Sequence, residues 1–219
     1  MRKIAPSILA GDHGNLSSEA MRLEKWGADW IHVDVMDGHF APNITFGPGA
    51  VRAIRKSTKL PLDCHLMLSR PELYVERFLE AGGDIITVHA EAVDETSLAD
   101  IEAMVNKYKA KLGIAFKPAT PLNSLDLSKH DVSVVIVMTV NPGFSGQKFM
   151  PEIVPKVSEA ANLFRSRKIE IEVDGGVDSR NAKMLSENGA TVFVAGNSVF
   201  GHPNPEIAIK ELKSAVGGN

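Results

Sequence analysis

The chain has 219 residues, of which 44% are hydrophobic, and a net charge of −3. These values are typical of a globular protein with a sizeable core. The charge is weak and includes no basic run, so we expect neither nucleic acid nor an anionic membrane surface as a partner. No apolar stretch approaches the ~20 residues of a membrane span. The single cysteine, Cys64, excludes an intrachain disulfide and predicts a cytoplasmic protein.

Short apolar runs rich in Val, Ile and Thr alternate with helical patterns along the whole chain. The predicted strands lie at 4–9, 30–35, 60–68, 84–90, 111–116, 133–140, 169–174 and 191–196. The helical patterns lie at 16–26, 48–57, 71–82, 97–110, 151–166, 178–189 and 204–216, and the connection at 120–130 is the least regular. Eight βα units predict an α/β fold, a (β/α)8 TIM barrel forming a single domain over residues 1–219. An open doubly wound sheet is the weaker alternative, because the first predicted strand lacks the G-x-G-x-x-G turn.

Three predicted strands carry polar residues where a barrel interior should be. His32 and Asp34 share one parity on the second strand, His65 lies on the third, and Asp174 ends the seventh. Alternate residues of barrel strands point inward, and functional residues gather at the carboxyl ends of the strands. Two imidazoles and two carboxylates suit one divalent cation, which would also balance the buried charge. Hydrogen-bonded core residues are the alternative for each position alone, but they do not explain the convergence of three strands.

Further histidines and carboxylates surround this set in the sequence. Asp63 and Glu172 have inward parity, and we expect them deeper in the barrel as partners that orient the ligands. His89 ends the fourth predicted strand, and we expect a structural role for it at the border of the site. The remaining histidines are expected in solvated loops or turns: His13, His39, His130 and His202.

Three glycine-rich turns follow the last three predicted strands, at 141–149, 174–177 and 195–201. Glycine lets a backbone approach a ligand closely, and TIM barrels often bind phosphate with the loops after strands seven and eight. A short helix predicted to open at Asn197 would also favour an anion. We therefore expect a phosphorylated substrate, and the turn at 141–149 is long enough to act as a lid.

A set of motifs in one order extends the interpretation. They are "PSIL", "HVDVMDGHFAPNITFGP", "HLML", "ITVHAEA", "PATPL", "VMTVNPGFSGQKF", "IEVDGGV" and "VAGNSVFG". This set resembles the ribulose-phosphate 3-epimerase family nearly from end to end. The resemblance implies a (β/α)8 barrel with one divalent metal ion (zinc, iron, manganese or cobalt) that interconverts D-ribulose 5-phosphate and D-xylulose 5-phosphate. It also implies a homo-oligomer, either a dimer or a hexamer.

The resemblance assigns roles to individual residues. It implies His32, Asp34, His65 and Asp174 as metal ligands, with the two aspartates as the acid/base pair. Proton transfer at C3 would then pass through a metal-stabilised 2,3-enediolate. The residues expected to contact substrate are Ser7, Met36, His65, Met67, Met138 and Asp174, and those expected at its phosphate are Gly143, Phe144, Ser145, Gly146, Gly175, Gly176, Gly196 and Asn197.

Three alternatives stay open at this point. A sister group of the family that acts on allulose 6-phosphate shares the metal set, and Ser145 and Asn197 depart from the residues common in the pentose enzymes. A barrel lyase or decarboxylase would use a lysine at a strand end, such as Lys117, but no Asp-x-Lys pattern accompanies it. A non-catalytic phosphosugar-binding protein would need the glycine turns but not two carboxylates.

Overall fold

The computed structural model describes residues 2–217, within which eight parallel strands form one sheet. The strands are Lys3–Pro6 (β1), Ile31–Met36 (β2), Leu62–Met67 (β3), Ile85–His89 (β4), Lys111–Phe116 (β5), Val132–Met138 (β6), Glu170–Asp174 (β7) and Val192–Ala195 (β8). Their order is β1-β8-β7-β6-β5-β4-β3-β2, and a parallel bridge between Ser7 and His32 joins the two end strands. The predicted eight-stranded barrel is confirmed.

Helices connect most of the strands on the outside of the barrel. They are Leu16–Lys25 (α1), Pro48–Arg55 (α2), Val75–Glu80 (α3), Glu95–Lys107 (α4), Val154–Leu163 (α5), Ala182–Glu187 (α6), Asn197–Phe200 (α7) and Pro205–Ala215 (α8). The irregular connection at 120–130 holds only a 3-10 turn, Leu127–Lys129, between β5 and β6. Within residues 2–217, none of the helices has the length and apolar character needed to cross a membrane.

The first strand is shorter than its apolar run predicts. β1 ends at Pro6, and Ile8–Ala10 form a 3-10 turn rather than the end of a strand over 4–9. Ile8 is nevertheless fully buried. A run of apolar residues indicates that the segment is buried, but it does not distinguish a buried turn from a buried strand.

The core has two parts, one on each face of the sheet. Helix residues such as Leu23 and Ile101 pack on outward strand residues such as Val33 and Leu66. Inside the barrel, small and branched side chains from neighbouring strands fill the interior: Ala5, Ile85, Ala115, Val134, Ile136 and Val192. The same inward parity carries the histidines and carboxylates of β2, β3, β4 and β7, so the fold directs them into one space.

One glycine within a strand makes room for this polar interior. A Cβ on Gly113 of β5 would lie 2.1 Å from Oγ1 of Thr87, which is too close for any other residue. Thr87 lies opposite Gly113 on β4 and is fully buried. Its hydroxyl donates to Oδ1 of Asp63 at 3.4 Å, so the missing side chain on β5 allows a polar contact on β3.

Candidate active site

His32, Asp34, His65 and Asp174 converge inside the barrel from β2, β3 and β7. Asp34 and His65 lie opposite each other in the register of β2 and β3. Nε2 of His32 lies 3.3 Å from Nδ1 of His65 and 3.3 Å from Oδ1 of Asp34. Nδ1 of His65 lies 3.5 Å from that oxygen of Asp34 and 3.4 Å from Oδ2 of Asp174. Oδ2 of Asp174 lies 3.9 Å from Nε2 of His32, so one atom of each residue faces a common point.

The spacing of these four donor atoms fits one divalent cation. Zinc-like tetrahedral bonds of about 2.0–2.2 Å place donor atoms about 3.3–3.6 Å apart. The five separations that involve a histidine nitrogen run from 3.3 to 3.9 Å, and all four donor atoms lie within 4.8 Å of one another. Two imidazole nitrogens and two carboxylate oxygens also balance the charge of a divalent ion. The residues present therefore fit a metal centre.

The carboxylates control the protonation of both histidines. Burial disfavours charge on His32, but the negative charges of Asp34 and Asp63 outweigh it and hold the pKa of His32 well above its usual value. Burial likewise opposes charge on His65, yet hydrogen bonds to Asp174 and Asp34 raise its pKa to about 9. Burial of Asp34 is outweighed by His32 and His65, which hold its pKa well below the usual range. Without a cation, protons on the imidazoles satisfy the carboxylates.

The other ring nitrogen of His32 is anchored deeper in the barrel. Its Nδ1 lies 2.7 Å from Oδ2 of Asp63 and 3.1 Å from Oε1 of Glu172, and both carboxyl groups are fully buried. Burial, together with the charge of Asp63, raises the pKa of Glu172 to about 8. Glu172 therefore keeps its proton at neutral pH, and Nδ1 of His32 donates to Oδ2 of Asp63. As predicted, both residues lie fully buried behind His32 and contact its Nδ1.

The remaining histidines differ in their surroundings. His89 is fully buried, and its Nε2 lies 2.9 Å from Nε2 of His65. His130 was predicted to be solvated, which is wrong, because its loop packs on α4 and its Nδ1 lies 2.6 Å from Oε2 of Glu102. His13 and His39 are exposed, and His202 is half-buried.

A pocket of about 610 Å³ opens above Asp34 and Asp174. Besides these two, it contains the following residues that the resemblance assigned to substrate: Ser7, Met36, Met67, Met138, Gly143, Phe144, Ser145, Gly146, Gly175, Gly176, Gly196 and Asn197. His65, expected to contact substrate as well, is fully buried and does not line this pocket in the described part of the chain. Its imidazole contacts the carboxylates of Asp34 and Asp174, and these two residues line the pocket.

Some pocket residues had no functional signal in the sequence. Asp178 and Arg180 line the pocket after β7, and the exposed guanidinium of Arg180 pairs with the Asp178 carboxylate. In the sequence the run "DSRN" is indistinguishable from an ordinary helix start. His89 had a visible signal, since it shares its inward parity with Thr87 on β4, but the sequence does not show which neighbour it contacts.

The glycine turns contribute in different ways. At Gly176, φ is +65°, and a Cβ would lie 2.6 Å from the backbone nitrogen of Phe149. This glycine therefore lets the turn after β7 pack on the loop at 141–149. At Gly196, φ is −90°. A Cβ there would lie 3.4 Å from Oγ of Ser145 and 3.7 Å from Cβ of Ser7, which is ordinary contact within the pocket lining.

Ser7 contacts the second carboxylate oxygen of Asp34. Oδ2 of Asp34 accepts a hydrogen bond of 2.5 Å from Oγ of Ser7, which orients its carboxylate. Met36, Met67 and Met138 are buried beside the carboxylates and give the pocket an apolar wall. The site thus combines an anionic centre, a flexible apolar wall and backbone-rich turns.

Comparison with known proteins identifies the family. Residues 3–200 match the model of the ribulose-phosphate 3 epimerase family. The ribulose-phosphate 3-epimerase of Bacillus subtilis is 43% identical over 218 residues, which cover 98% of this chain and 100% of that protein. The enzyme of that name from Synechocystis is 44% identical, covering 97% of this chain and 93% of its own. The cytoplasmic isoform from Oryza sativa subsp. japonica is 42% identical, covering 99% and 95%.

Solved structures of more distant proteins share the fold. The 3-hexulose-6-phosphate synthase from Salmonella typhimurium has a TM-score of 0.72 at 16% identity, with 98% of each chain covered. The 3-keto-L-gulonate-6-phosphate decarboxylase from Vibrio cholerae has a TM-score of 0.72 at 17% identity, covering 99% of this chain and 98% of its own. Such identities show a common fold alone. The family match and the close relatives span nearly the whole sequence, and the chain belongs to the ribulose-phosphate 3-epimerase family.

Proposed function

We propose that this isomerase interconverts D-ribulose 5-phosphate and D-xylulose 5-phosphate by moving the proton on C3. The observation that carries the proposal is the convergence of four donor atoms from His32, Asp34, His65 and Asp174 in a chain of this family. The relatives that are about 43% identical carry the name of this reaction.

The proposed metal ligands are Nε2 of His32, Oδ1 of Asp34, Nδ1 of His65 and Oδ2 of Asp174. When bound there, a divalent cation supplies Lewis-acid stabilisation of the negative charge that develops on the substrate oxygens next to C3. Zinc, iron, manganese and cobalt all accept this set of nitrogen and oxygen donors. The residues behind the ligands, Asp63 for His32 and His89 for His65, fix which ring nitrogen faces the centre.

Asp34 and Asp174 are the proposed proton carriers. The C3 proton is acidified by the neighbouring C2 carbonyl, and its removal gives a 2,3-enediolate of the sugar. Inversion needs a proton delivered to the opposite face, which two carboxylates accomplish when one is ionised and the other protonated. Asp34 on β2 and Asp174 on β7 are separated in the sheet by β8 and β1, which supports placement on two sides of the substrate. Both carboxylates contact Nδ1 of His65.

The substrate phosphate is proposed to bind backbone N–H groups of the glycine turns after β6, β7 and β8. Ser145, Gly175 and Gly196 line the pocket side of these three turns. The loop at 141–149 is the proposed lid, and Phe144 at its tip has 58% of its surface exposed. Closure over the methionine wall would exclude water from a reactive enediolate.

A lyase mechanism with a lysine at a strand end has less support. Nζ of Lys117, which follows β5, lies 3.8 Å from the ring centroid of Phe40, and Lys117 does not line the pocket in the described part of the chain. Its side chain is therefore directed to an aromatic ring rather than to the proposed substrate.

The experiment that tests the proposal combines metal analysis with turnover. Purified protein should contain a divalent metal near one equivalent per chain and convert ribulose 5-phosphate to xylulose 5-phosphate. Allulose 6-phosphate, assayed in parallel, should have the lower kcat/KM. The reverse preference would assign the chain to the hexose group, and sugar binding without turnover would identify a non-catalytic phosphosugar-binding protein.

We also propose a homo-oligomer, either a dimer or a hexamer, in the cytoplasm. The support is the family resemblance together with one relative named as a cytoplasmic isoform. The buried free Cys64 is compatible with a reducing compartment. Light scattering of the purified protein would decide between a monomer and either oligomer.

A further inference from the structure

His65 is held from behind by a second histidine. Its Nδ1 faces Asp34 and Asp174, while its Nε2 lies 2.9 Å from Nε2 of His89. Both rings are fully buried, and their planes differ by only 19°. Two imidazole nitrogens at this distance share one hydrogen, so one of them donates and the other accepts.

The next residue in the chain of hydrogen bonds decides the direction. Nδ1 of His89 lies 2.9 Å from Oε2 of Glu91. An ionised carboxylate only accepts hydrogen bonds, so Nδ1 of His89 donates and the Nε2 of its neutral ring accepts. His65 must then donate from Nε2. Its Nδ1 faces the point shared with Asp34 and Asp174, and the lone pair of Nδ1 becomes available to a cation that displaces the proton there.

Glu91 is itself anchored outside the pocket. Its Oε1 accepts the backbone N–H of Lys117 at 2.8 Å, which ties the turn after β4 to the end of β5. The side chain of Glu91 is 18% exposed, and the Phe40 ring covers His89 with 4.6 Å between ring centroids. The hydrogen-bonded chain thus runs from the loops after β4 and β5 to the metal centre.

This arrangement differs from the one that holds His32. His32 is anchored at Nδ1 by the carboxylate of Asp63 and faces the centre with Nε2. His65 faces the centre with Nδ1 and is anchored by a neutral imidazole, with the carboxylate one residue farther away. The two supports therefore select opposite tautomers of the two proposed ligands.

We propose that His89 and Glu91 are positioning residues of the metal centre, which hold His65 as the Nε2–H tautomer so that Nδ1 binds the metal. This inference rests on the metal centre of the proposed function. Removing an outer partner of a metal-bound histidine typically weakens metal binding about 10–100-fold. Glu91 is the residue to change, because it lies at the accessible end of the chain and contacts neither the proposed metal nor the pocket lining.

The chain supplies a matched control. Glu102 accepts one hydrogen bond from Nδ1 of the buried His130 at 2.6 Å and another from the backbone N–H of Asp131 at 2.8 Å. Glu91 makes the same two kinds of contact, with a buried histidine and one backbone N–H. Glu102→Ala therefore reproduces the structural cost of losing such a carboxylate, but at a pair that belongs to α4 and the β5–β6 connection.

The test is competition between the protein and a chelator for Zn²⁺, with the wild type and the variants Glu91→Ala, Glu91→Gln and Glu102→Ala. Melting of the chelator-treated proteins measures the structural cost separately. Glu91→Ala should weaken Zn²⁺ binding about 10–100-fold. Glu91→Gln should restore part of the loss, because its amide oxygen still accepts from His89, and Glu102→Ala should bind Zn²⁺ like the wild type.

A spectroscopic measurement separates positioning from general destabilisation. In ¹⁵N spectra of the Zn²⁺-loaded wild type, His65 should show a protonated Nε2 and a metal-bound Nδ1. Wild-type Zn²⁺ affinity in Glu91→Ala, an equal loss in Glu102→Ala, or a protonated Nδ1 on His65 would overturn the inference. Failure of the wild type to bind Zn²⁺ would overturn the proposed function as well. Normal Zn²⁺ binding by the wild type together with any of the three results above would overturn this inference alone.

Discussion

His32 and His65 present opposite ring nitrogens to the same pair of carboxylates. Nε2 of His32 and Nδ1 of His65 are 3.3 Å apart, and each lies within 3.5 Å of Oδ1 of Asp34. Each ring is fixed by a hydrogen bond on its other nitrogen. The geometry of the centre is therefore set before a cation arrives, which reduces the reorganisation that binding requires.

Replacing His65 tests the ligand set. His65→Ala should remove bound metal and activity while the barrel still forms. The variant should be less stable by about 1–3 kcal/mol, since Nε2 of His89 loses its partner. Elemental analysis, circular dichroism and thermal melting measure the three effects, with His13→Ala in an exposed turn as the control. Full metal occupancy in His65→Ala would contradict the assignment.

Metal uptake should become stronger as the pH rises. The pKa of His65 is raised to about 9 and that of His32 lies well above its usual value, so at pH 7 both rings hold protons that a cation must displace. Affinity should increase between pH 6.5 and about 9, with proton release on binding. Calorimetry in buffers of different ionisation enthalpy measures that release. Binding that is independent of pH across this interval would contradict the expectation.

The metal-free protein should respond to pH in the opposite sense. When folding raises the pKa of a group, its protonated form stabilises the fold at pH values below the pKa that the group has in the unfolded chain, which is about 6.5 for histidine. This stabilisation is lost as the pH rises through the pKa that the group has in the folded state. For His65 the loss falls between pH 6.5 and about 9, and Glu172, raised to about 8, adds a loss of the same sign. Denaturant midpoints of chelator-treated protein should therefore fall across this interval. A rise would show that the imidazoles are neutral in the metal-free fold.

Gly196→Ala tests the phosphate cradle. Its φ is −90°, and the added methyl would lie among Ser145, Ala10 and Ser7 at 3.4–3.7 Å. The variant should fold normally and have a strongly raised KM with a smaller change in kcat. Gly49→Ala, whose Cβ meets nothing within 4 Å, is the matched control.

A second comparison decides whether charge or backbone dominates phosphate binding. Lys148 lines the pocket, and Lys148→Ala should raise KM less than Gly196→Ala does. A larger effect of the lysine change would contradict binding by backbone N–H groups. Gly176→Val is the poorer probe, because its Cβ would strike the backbone of Phe149 rather than the pocket.

Much of the fold and of the metal centre follows from local sequence patterns. Strand parity and the rule that barrel chemistry lies at strand ends were sufficient to group His32, Asp34, His65 and Asp174. The barrel itself follows from eight repeats of one βα pattern, and a repeated signal tolerates errors at single elements. The connection at 120–130, which had the least regular pattern, forms a turn without a helix, and the eight-stranded order is unaffected.

The contacts that the sequence analysis missed join residues that lie on different elements and far apart in the sequence. The contact of His89 with His65 requires that neighbouring strands β3 and β4 bring two inward side chains together, and no spacing within one strand encodes that. The burial of His130 has the same origin, because its partner Glu102 is 28 residues away on α4. Long-range pairs of this kind appear only when the elements are packed.

The two-base mechanism is tested most directly by deuterium exchange in heavy water. Asp34→Asn and Asp174→Asn are assayed separately with metal supplied in excess, because each change also weakens a proposed ligand. Epimerisation should fall about 10²–10⁴-fold in both variants, as expected when general acid–base help is lost. One variant should still exchange the C3 proton of ribulose 5-phosphate only, and the other that of xylulose 5-phosphate only. Equal exchange into both sugars by both variants would contradict two carboxylates on opposite faces and indicate a single mobile base.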